Sequence, residues 1–445
     1  MRVAFFSPLN PQRSGISDYS EELLPYLAAH ARIDLVTNGY QPSNPEINNT
    51  FTTLTPDQFL SRKTDYDCVL YQIGNHPDYH GYMARCMRHA PGIVVLHDYS
   101  LSYLMLGLTL ERGDLKALER ILAATHGKDA GPLARQILLG RVDPYQLSLA
   151  RPIIEMSNGV IVHNLYAHDK LKQEYPHQAI RVVRHATPIR QSLGDKAELR
   201  RKYGFAQDDF LIASVSRLAY NKRFELAFSV LADIVRLHPQ AKLLLVGEGQ
   251  LSTQASAMIA ALNLDSHIHK TGFVSAEAYL AYIDMADAAI DLRFPTAGET
   301  SGGSLRLLQA AKPVVASAQG FFLELPKECC LVIPVDANER QAIVQAMRSL
   351  IEDPAFRTSV GDAARSFALN YLTREEAAAG YVSFMRQVIA ENRRPLASWD
   401  LDTPPTGLAL GVRTLHTASR TIQFARQYGP LALARRIKQQ VKPKP

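Results

Sequence analysis

The sequence predicts an α/β protein built of two tandem, doubly wound domains. Three observations carry that expectation. Short segments rich in β-branched residues alternate with helical patterns in both halves of the chain, the order that yields parallel sheets covered on both faces. At 445 residues the chain exceeds what a single hydrophobic core usually holds. The stretch from Asp291 to Ser317, DLRFPTAGETSGGSLRLLQAAKPVVAS, reads as strand, glycine-rich turn, helix and strand in immediate succession.

In the first half the strand segments are Arg2–Pro8, Ile33–Asn38, Cys68–Gly74, Gly92–Asp98, Gly159–Asn164 and Ile180–His185, with helical patterns such as Ser17–His30 and Tyr79–His89 between them. Residues 99–158 read as a largely helical insertion. Ligands of such sheets sit outside the carboxyl ends of the strands, so function is sought in the residues that follow each strand. The loop SPLNPQRSGISDYS after the first strand is longer and more polar than a plain connection, and Gly15 and Ile16 open the next helix, with Ser14 or Ser17 as its cap. That loop is expected to face a substrate. His97 and Asp98 follow the fourth strand, where His97 would exchange a hydrogen bond with a substrate hydroxyl and Asp98 would set its tautomer or cap the next helix. The triplet Asp65-Tyr66-Asp67 spells a possible metal ligand pair but precedes its strand, at the wrong end of the sheet, and reads as turn carboxylates. His163 and His168, five apart, share no helical face and read as structural.

Residues 186–208, with Pro188, read as an interdomain linker. A second series of strands follows at Phe210–Arg217, Ala241–Gly249, Ile268–Val274, Ala288–Arg293, Pro313–Ser317 and Cys330–Val335, separated by helices such as Glu225–His238, Thr253–Asn263 and Glu277–Ala286. The turn GETSGG places Gly298, Gly302 and Gly303 where a backbone can approach a ligand. Thr300, Ser301 and the unpaired amides of the next helix then aim donors at one point, an arrangement suited to a phosphate. Arg217 ends the first strand of this half, and Lys222 and Arg223 begin the next helix, so all three belong to the carboxyl-end face. The turns Gly247-Glu248-Gly249 and Gly272-Phe273-Val274 fall on the same rim, where backbone groups could hold a nucleobase. The domains are expected at 1–190 and 191–375, with 376–403 returning to the first domain and 404–445 as a basic tail.

Composition narrows the classes. A hydrophobic fraction of 47% with 21% charged residues is that of a soluble globular protein. Cys68, Cys86, Cys329 and Cys330 lack metal-ligand spacing and are expected to be reduced thiols in the cytoplasm. No run is long enough to span a membrane, and the opening residues are too short an apolar run for a signal peptide. Residues 404–445 carry +8 and no acid, leaving −2 for the rest of a chain of net charge +6. The body is therefore not expected to bind nucleic acid. In the tail Leu408, Val412, Leu415, Ile422 and Ala425 recur at helical spacing among basic residues, as in a helix lying on an anionic membrane surface. The expected location is the cytoplasm, peripheral on the inner face of a membrane.

Taken in order, GISDYS, the His97-Asp98 pair, SRLAYNKR, LLLVGEG, TGFVS and GETSGGSLRLLQAAKPVV resemble the retaining nucleotide-sugar glycosyltransferases of the GT-B architecture, family 4. The resemblance covers about residues 1–390. It implies two Rossmann-like domains facing a central cleft, a nucleotide-sugar donor, a glycan or lipid-linked acceptor, and no cofactor or metal. By that resemblance Gly15, Ile16 and Asp98 lie on the acceptor side, walled by the helical insertion. His97 meets the transferred sugar, Arg217 and Lys222 bind the diphosphate, and Glu299, Thr300, Ser301, Gly302 and Gly303 contact sugar and phosphate. By the same resemblance His97 and Glu299 are expected to be the catalytic residues.

One position departs from the family pattern. The second of two glutamates, which grips the ribose, falls at Arg306 when counted back from Pro313, and the first is Glu299, one residue closer than expected. A guanidinium cannot accept a hydroxyl proton, so Arg306 implies a different donor contact, such as one to phosphate. Two alternatives follow: a catalytically silent binding scaffold, or another GT-B enzyme such as a sugar epimerase. In the implied mechanism the sugar–phosphate bond breaks first and the acceptor attacks the same face. The leaving phosphate takes the acceptor's proton.

Overall fold

The computed structural model describes residues 1–401, 409–430, 432–434 and 436. They divide into two compact units. The first comprises Met1–Pro188, Ala297–Thr300 and Arg374–Ile422; the second comprises Ile189–Thr296, Ser301–Thr373 and Gln423–Pro445.

The first unit is a seven-stranded sheet with strands β1 (Arg2–Phe6), β2 (Arg32–Val36), β3 (Thr52–Leu54), β4 (Cys68–Ile73), β5 (Ile93–Leu96), β6 (Gly159–Val162) and β7 (Ile180–Val182), in the order β3-β2-β1-β4-β5-β6-β7. Every pairing is parallel. Period-two alternation builds both faces: Ala4 and Phe6 of β1 enter one core cluster, Val3 and Phe5 the other. β3 escaped the sequence pattern because its three residues TTL are too few to show a period. The helical insertion is present as Ser102–Leu108, Leu115–His126, Ala130–Leu138 and Arg151–Glu155.

The second unit repeats the plan with β8 (Phe210–Val215), β9 (Ala241–Val246), β10 (Ile268–Gly272), β11 (Ala288–Asp291), β12 (Val314–Ser317) and β13 (Cys330–Ile333), ordered β10-β9-β8-β11-β12-β13 and parallel throughout. Strand order reverses between β1 and β4 in one sheet and between β8 and β11 in the other. Crevices in open sheets form at such points. The segment expected as a linker contains a helix, Lys196–Tyr203, whose ends the sequence does announce: Asp195 accepts from the amides of Ala197 and Glu198, and Gly204 closes it at a left-handed φ of 81°.

The helix Arg374–Ala390 packs in the first unit, where Tyr381 Oη meets Tyr19 Oη at 2.9 Å and Arg374 pairs with Glu22 at 2.7 Å. In the tail the helix Ala409–Tyr428 buries His416, rests Val412 against the first unit's core and pairs Arg420 with Glu111. Its Leu410, Leu415 and Ile422 are 77%, 53% and 51% exposed. The tail positions Pro404, Pro405, Leu408, Arg435, Ile437, Lys438, Val441, Lys442 and Lys444 lie outside the described residues. The four cysteines are free and buried. No described helix is long and apolar enough to cross a membrane.

Candidate functional site

In the second unit the site is built on an ionic knot. Asp291, the last residue of β11, is buried and receives Arg293 through Nε (2.9 Å) and Nη2 (2.6 Å), Ser301 Oγ at 2.9 Å and Ser304 Oγ at 2.9 Å. Ser301 also caps the helix Gly302–Gln309, accepting the Ser304 amide, and takes a second bond from Arg293 at 2.7 Å. Burial opposes ionisation of Asp291, but Arg293, Lys222 and the Ser304 hydroxyl outweigh it and hold the carboxyl well below the usual range. The knot thus pins the start of that helix to the end of β11.

Gly303 pins the same helix start to β8. A Cβ there would stand 2.3 Å from the carbonyl oxygen of Val215, the last residue of β8. Backbone cannot yield to that extent, so only glycine fits. Two residues beyond Val215 comes Arg217, exposed and without an ion pair among the described residues. Lys222 ends a short 3-10 turn, Tyr220–Lys222, and its charge reaches Asp291. Arg217, Lys222, Ser301, Gly302 and Gly303 therefore gather where the sheet order reverses. Arg306 lies one turn into the helix, its Nη1 3.5 Å from the Gly302 carbonyl.

Arg223 does not belong with these cations. Its guanidinium is spent on Glu339 (2.6 and 2.8 Å), Ser317 Oγ and the Leu292 carbonyl, which makes it a strut under the turn. The two glycine turns of the rim do converge, through bridges between Leu218 and Gly249 and between Gly247 and Gly272. Beside them lies a cavity of about 380 Å³.

In the first unit the carboxyl ends present rings. His97 follows β5, and its Nε2 lies 2.7 Å from Gln72 Oε1 of β4. Its ring stands 5.3 Å from Tyr19 and 4.8 Å from His163, and Tyr19 lies tilted against His185 at 4.5 Å. Burial, reinforced by His163 and His185, keeps His97 far below the usual imidazole range, so the ring is neutral. Asp98 neither sets the His97 tautomer nor caps the next helix directly, contrary to expectation. Its Oδ2 takes the Asn75 amide at 2.9 Å, and Asn75 Oδ1 in turn accepts from the amides of Tyr103 and Leu104. Gln72 does the orienting. Gly15 opens its helix with nothing within 4 Å of where a side chain would go, and Ile16 lies against Gly74 at the end of β4.

Glu299 and Thr300 also group with the first unit. Asn164, after β6, caps the helix Leu165–Glu174 through Oδ1 and with Nδ2 holds the Gly298 carbonyl (2.9 Å) and Thr300 Oγ1 (3.0 Å). Glu299 folds back on its own loop, Oε2 accepting the Ala297 amide at 2.8 Å. The Asp65 and Asp67 carboxylates serve Arg2, one near its guanidinium and one on its amide. No group of three or more potential metal ligands occurs among the described residues.

Comparison with known proteins places this geometry. Residues 195–367 match the family model for glycosyl transferases group 1. Those residues, nearly all within the second unit, therefore carry a domain of the group 1 glycosyltransferase type. A GDP-mannose-dependent alpha-(1-6)-phosphatidylinositol monomannoside mannosyltransferase of Mycolicibacterium smegmatis is 26% identical over 56% of this chain and 66% of its own length. An uncharacterized glycosyltransferase of Methanocaldococcus jannaschii is 26% identical over 38% of this chain and 43% of its own length. The chain thus spans less than two thirds of either relative. Among solved structures, sucrose-phosphate synthase of Thermosynechococcus elongatus superposes with a TM-score of 0.63 at 17% identity, covering 88% of this chain and all of that one. Anabaena HepE in complex with UDP and glucose gives 0.59 at 18%, covering 88% and 99%. At such identities the likeness is one of fold. That fold is GT-B.

Three of the site residues were not singled out from the sequence. Asp291 and Arg293 were read as strand filling, although an acid and a base two apart at the end of an otherwise apolar strand are a signal. Asn164 had the same signal, a polar residue closing the run GVIV just ahead of a helix.

Proposed function

We propose that the protein is a retaining glycosyltransferase of family 4 that moves a hexose from a UDP- or GDP-linked sugar to a saccharide or lipid-linked glycan, in cell-surface polysaccharide synthesis. The observation that supports this most is the knot of Asp291, Arg293, Ser301 and Ser304. It fixes a helix start, with its unpaired amides, beside Arg217 and Lys222 in a domain of the group 1 family. Amides and cations at one point suit a diphosphate.

In this reading Arg217 and Lys222 offset the charge that grows on the leaving diphosphate, with Arg306 as a further phosphate contact, and no metal is required. The Ser301, Gly302 and Gly303 backbone cradles the phosphate, and Glu299 and Thr300 meet the sugar. His97, with Nε2 engaged by Gln72, presents Nδ1 to a sugar hydroxyl. Bond breaking at the anomeric carbon leads, the electron pair leaving with the phosphate oxygen. The acceptor hydroxyl then adds from the same face and its proton passes to that phosphate. Gly15, Ile16 and Asp98 border the acceptor. A screen of nucleotide sugars for nucleotide release tests the activity. Arg217→Ala and Lys222→Ala are each expected to reduce turnover by roughly a hundredfold, Arg217→Ala without lowering the melting temperature. Unchanged turnover would refute their role, and a chain that binds no UDP or GDP sugar would be a silent scaffold.

The lipid-linked acceptor fits a location in the cytoplasm, peripheral on the inner face of a membrane. The support is the helix Ala409–Tyr428, which leaves Leu415 and Ile422 exposed in a tail that carries +8. Replacing both with Ser is expected to lower binding to anionic vesicles several-fold; equal sedimentation with vesicles by both proteins would defeat the idea.

A further inference from the structure

We propose that the cavity of about 380 Å³ beside the β8–β10 turns takes a uracil base, with Tyr428 of the C-terminal helix as its stacking face and Lys270 as its reader, so that the donor is a UDP-sugar. This rests on the reading of the second unit as the donor site. The lining combines glycine backbone from two turns (Gly247 and Gly249 in one, Gly272 in the other) with Gln250, Lys270 and Tyr428.

Tyr428 is held in place by its surroundings. Its ring lies 4.7 Å from that of Phe424, which in turn carries the Arg436 guanidinium at 4.6 Å. Gly429, at a left-handed φ of 82°, ends the helix against Thr253, itself part of the cavity wall. Burial and the Glu225 carboxylate push the pKa of the half-buried Tyr428 hydroxyl up, and Arg217, the cation assigned to the diphosphate, acts on it in the opposite direction. Base and diphosphate can therefore occupy neighbouring ground, as they must in one nucleotide. An aromatic face beside a cation is the common platform for a flat, π-faced base.

The choice of base follows from charge. Guanine offers an N–H and an NH₂ on its pairing edge, which a carboxylate would best accept; among the described residues no Asp or Glu lines the cavity, and the Glu225 carboxylate, whose charge reaches Tyr428, is taken up by the Ser252 hydroxyl. Uracil offers two carbonyl oxygens around one N–H. The Lys270 ammonium is a donor for a carbonyl, and the Gln250 side chain can accept the N–H. The inference thus departs from the GDP-mannose dependence printed for the mycobacterial relative.

Titration calorimetry with UDP and with GDP on the full chain tests it. UDP is expected to bind about tenfold tighter than GDP or better, and Tyr428→Ala to weaken UDP about tenfold. Tyr428→Phe should stay within about twofold, since the ring face is retained, and Lys270→Met should narrow the UDP-to-GDP ratio. Arg217→Ala should weaken both nucleotides alike. Equal or tighter binding of GDP, or Tyr428→Ala leaving UDP affinity unchanged or raised, would overturn the proposal while the donor site stands. If the unaltered chain binds neither nucleotide, the donor site itself falls. Should Tyr428→Ala fail to fold, the nucleotide ratio on the unaltered chain and on Lys270→Met still decides.

Discussion

The two sheets share a strand order, yet their carboxyl ends are made of different matter. The first presents rings: His97, His163, His185 and Tyr19 in edge and tilted contact, with burial holding the His97 and His163 imidazoles uncharged. The second presents ions: Asp291 and Arg293 locked together, Lys222 within their field, Arg217 in solvent. Neutral rings can exchange hydrogen bonds with hydroxyls without drawing in counter-ions, whereas fixed cations and helix amides select an anion. One backbone plan is thus divided between sugar-like and phosphate-like chemistry by the side chains that end its strands.

The comparison breaks most readily at Asp291. Asp291→Asn removes the carboxylate charge that answers the buried Arg293 guanidinium, at a cost of roughly 3 kcal/mol. The helix start should loosen and turnover should fall further than for either rim cation. The pH dependence carries a sign. The carboxyl is held below its usual range when folded, so the unfolded chain takes up the extra proton and the folded state loses this contribution as pH falls. Denaturation of both proteins should therefore show the largest gap at neutral pH, narrowing below about pH 4. A gap that does not change with pH would mean that Asp291 is not ionised in the knot.

That prediction also marks where the sequence was legible. Both sheets, the GETSGG turn and its helix were readable because apolar runs, Gly and Ser are local signals. The Asp291 knot was not, because Arg293 acts on the residue two before it only once the chain has turned, and Ser301 and Ser304 reach back across ten and thirteen positions. Arg223 shows the converse. Beside Lys222 it looked like a rim cation, but its partner Glu339 lies 116 residues away. Asp98 and Gln72 exchanged roles for the same reason: which residue touches His97 depends on the pairing of β4 with β5, a long-range fact.

The ring cluster of the first sheet should give way in a different window. His163 donates from Nδ1 to the Val183 carbonyl at 2.8 Å, the tautomer that leaves Nε2 unprotonated and buried, without a hydrogen-bond partner among the described residues. Burial pushes its pKa down to about 4, the backbone bond opposing only in part. Because the folded value lies below the unfolded one, near 6.5, acid protonates the unfolded chain first. Stability is then lost progressively as pH falls from about 6.5 toward 4, on the order of 2 kcal/mol by pH 5 from this residue. His163→Asn can place an amide N–H where Nδ1 stands while removing the titration. Its stability should change less with pH between 7 and 5 than that of the unaltered protein, even if it is lower at pH 7. If instead the two curves run parallel across that range, the imidazole is not held neutral, and the contrast between an uncharged first face and an ionic second one loses its physical basis.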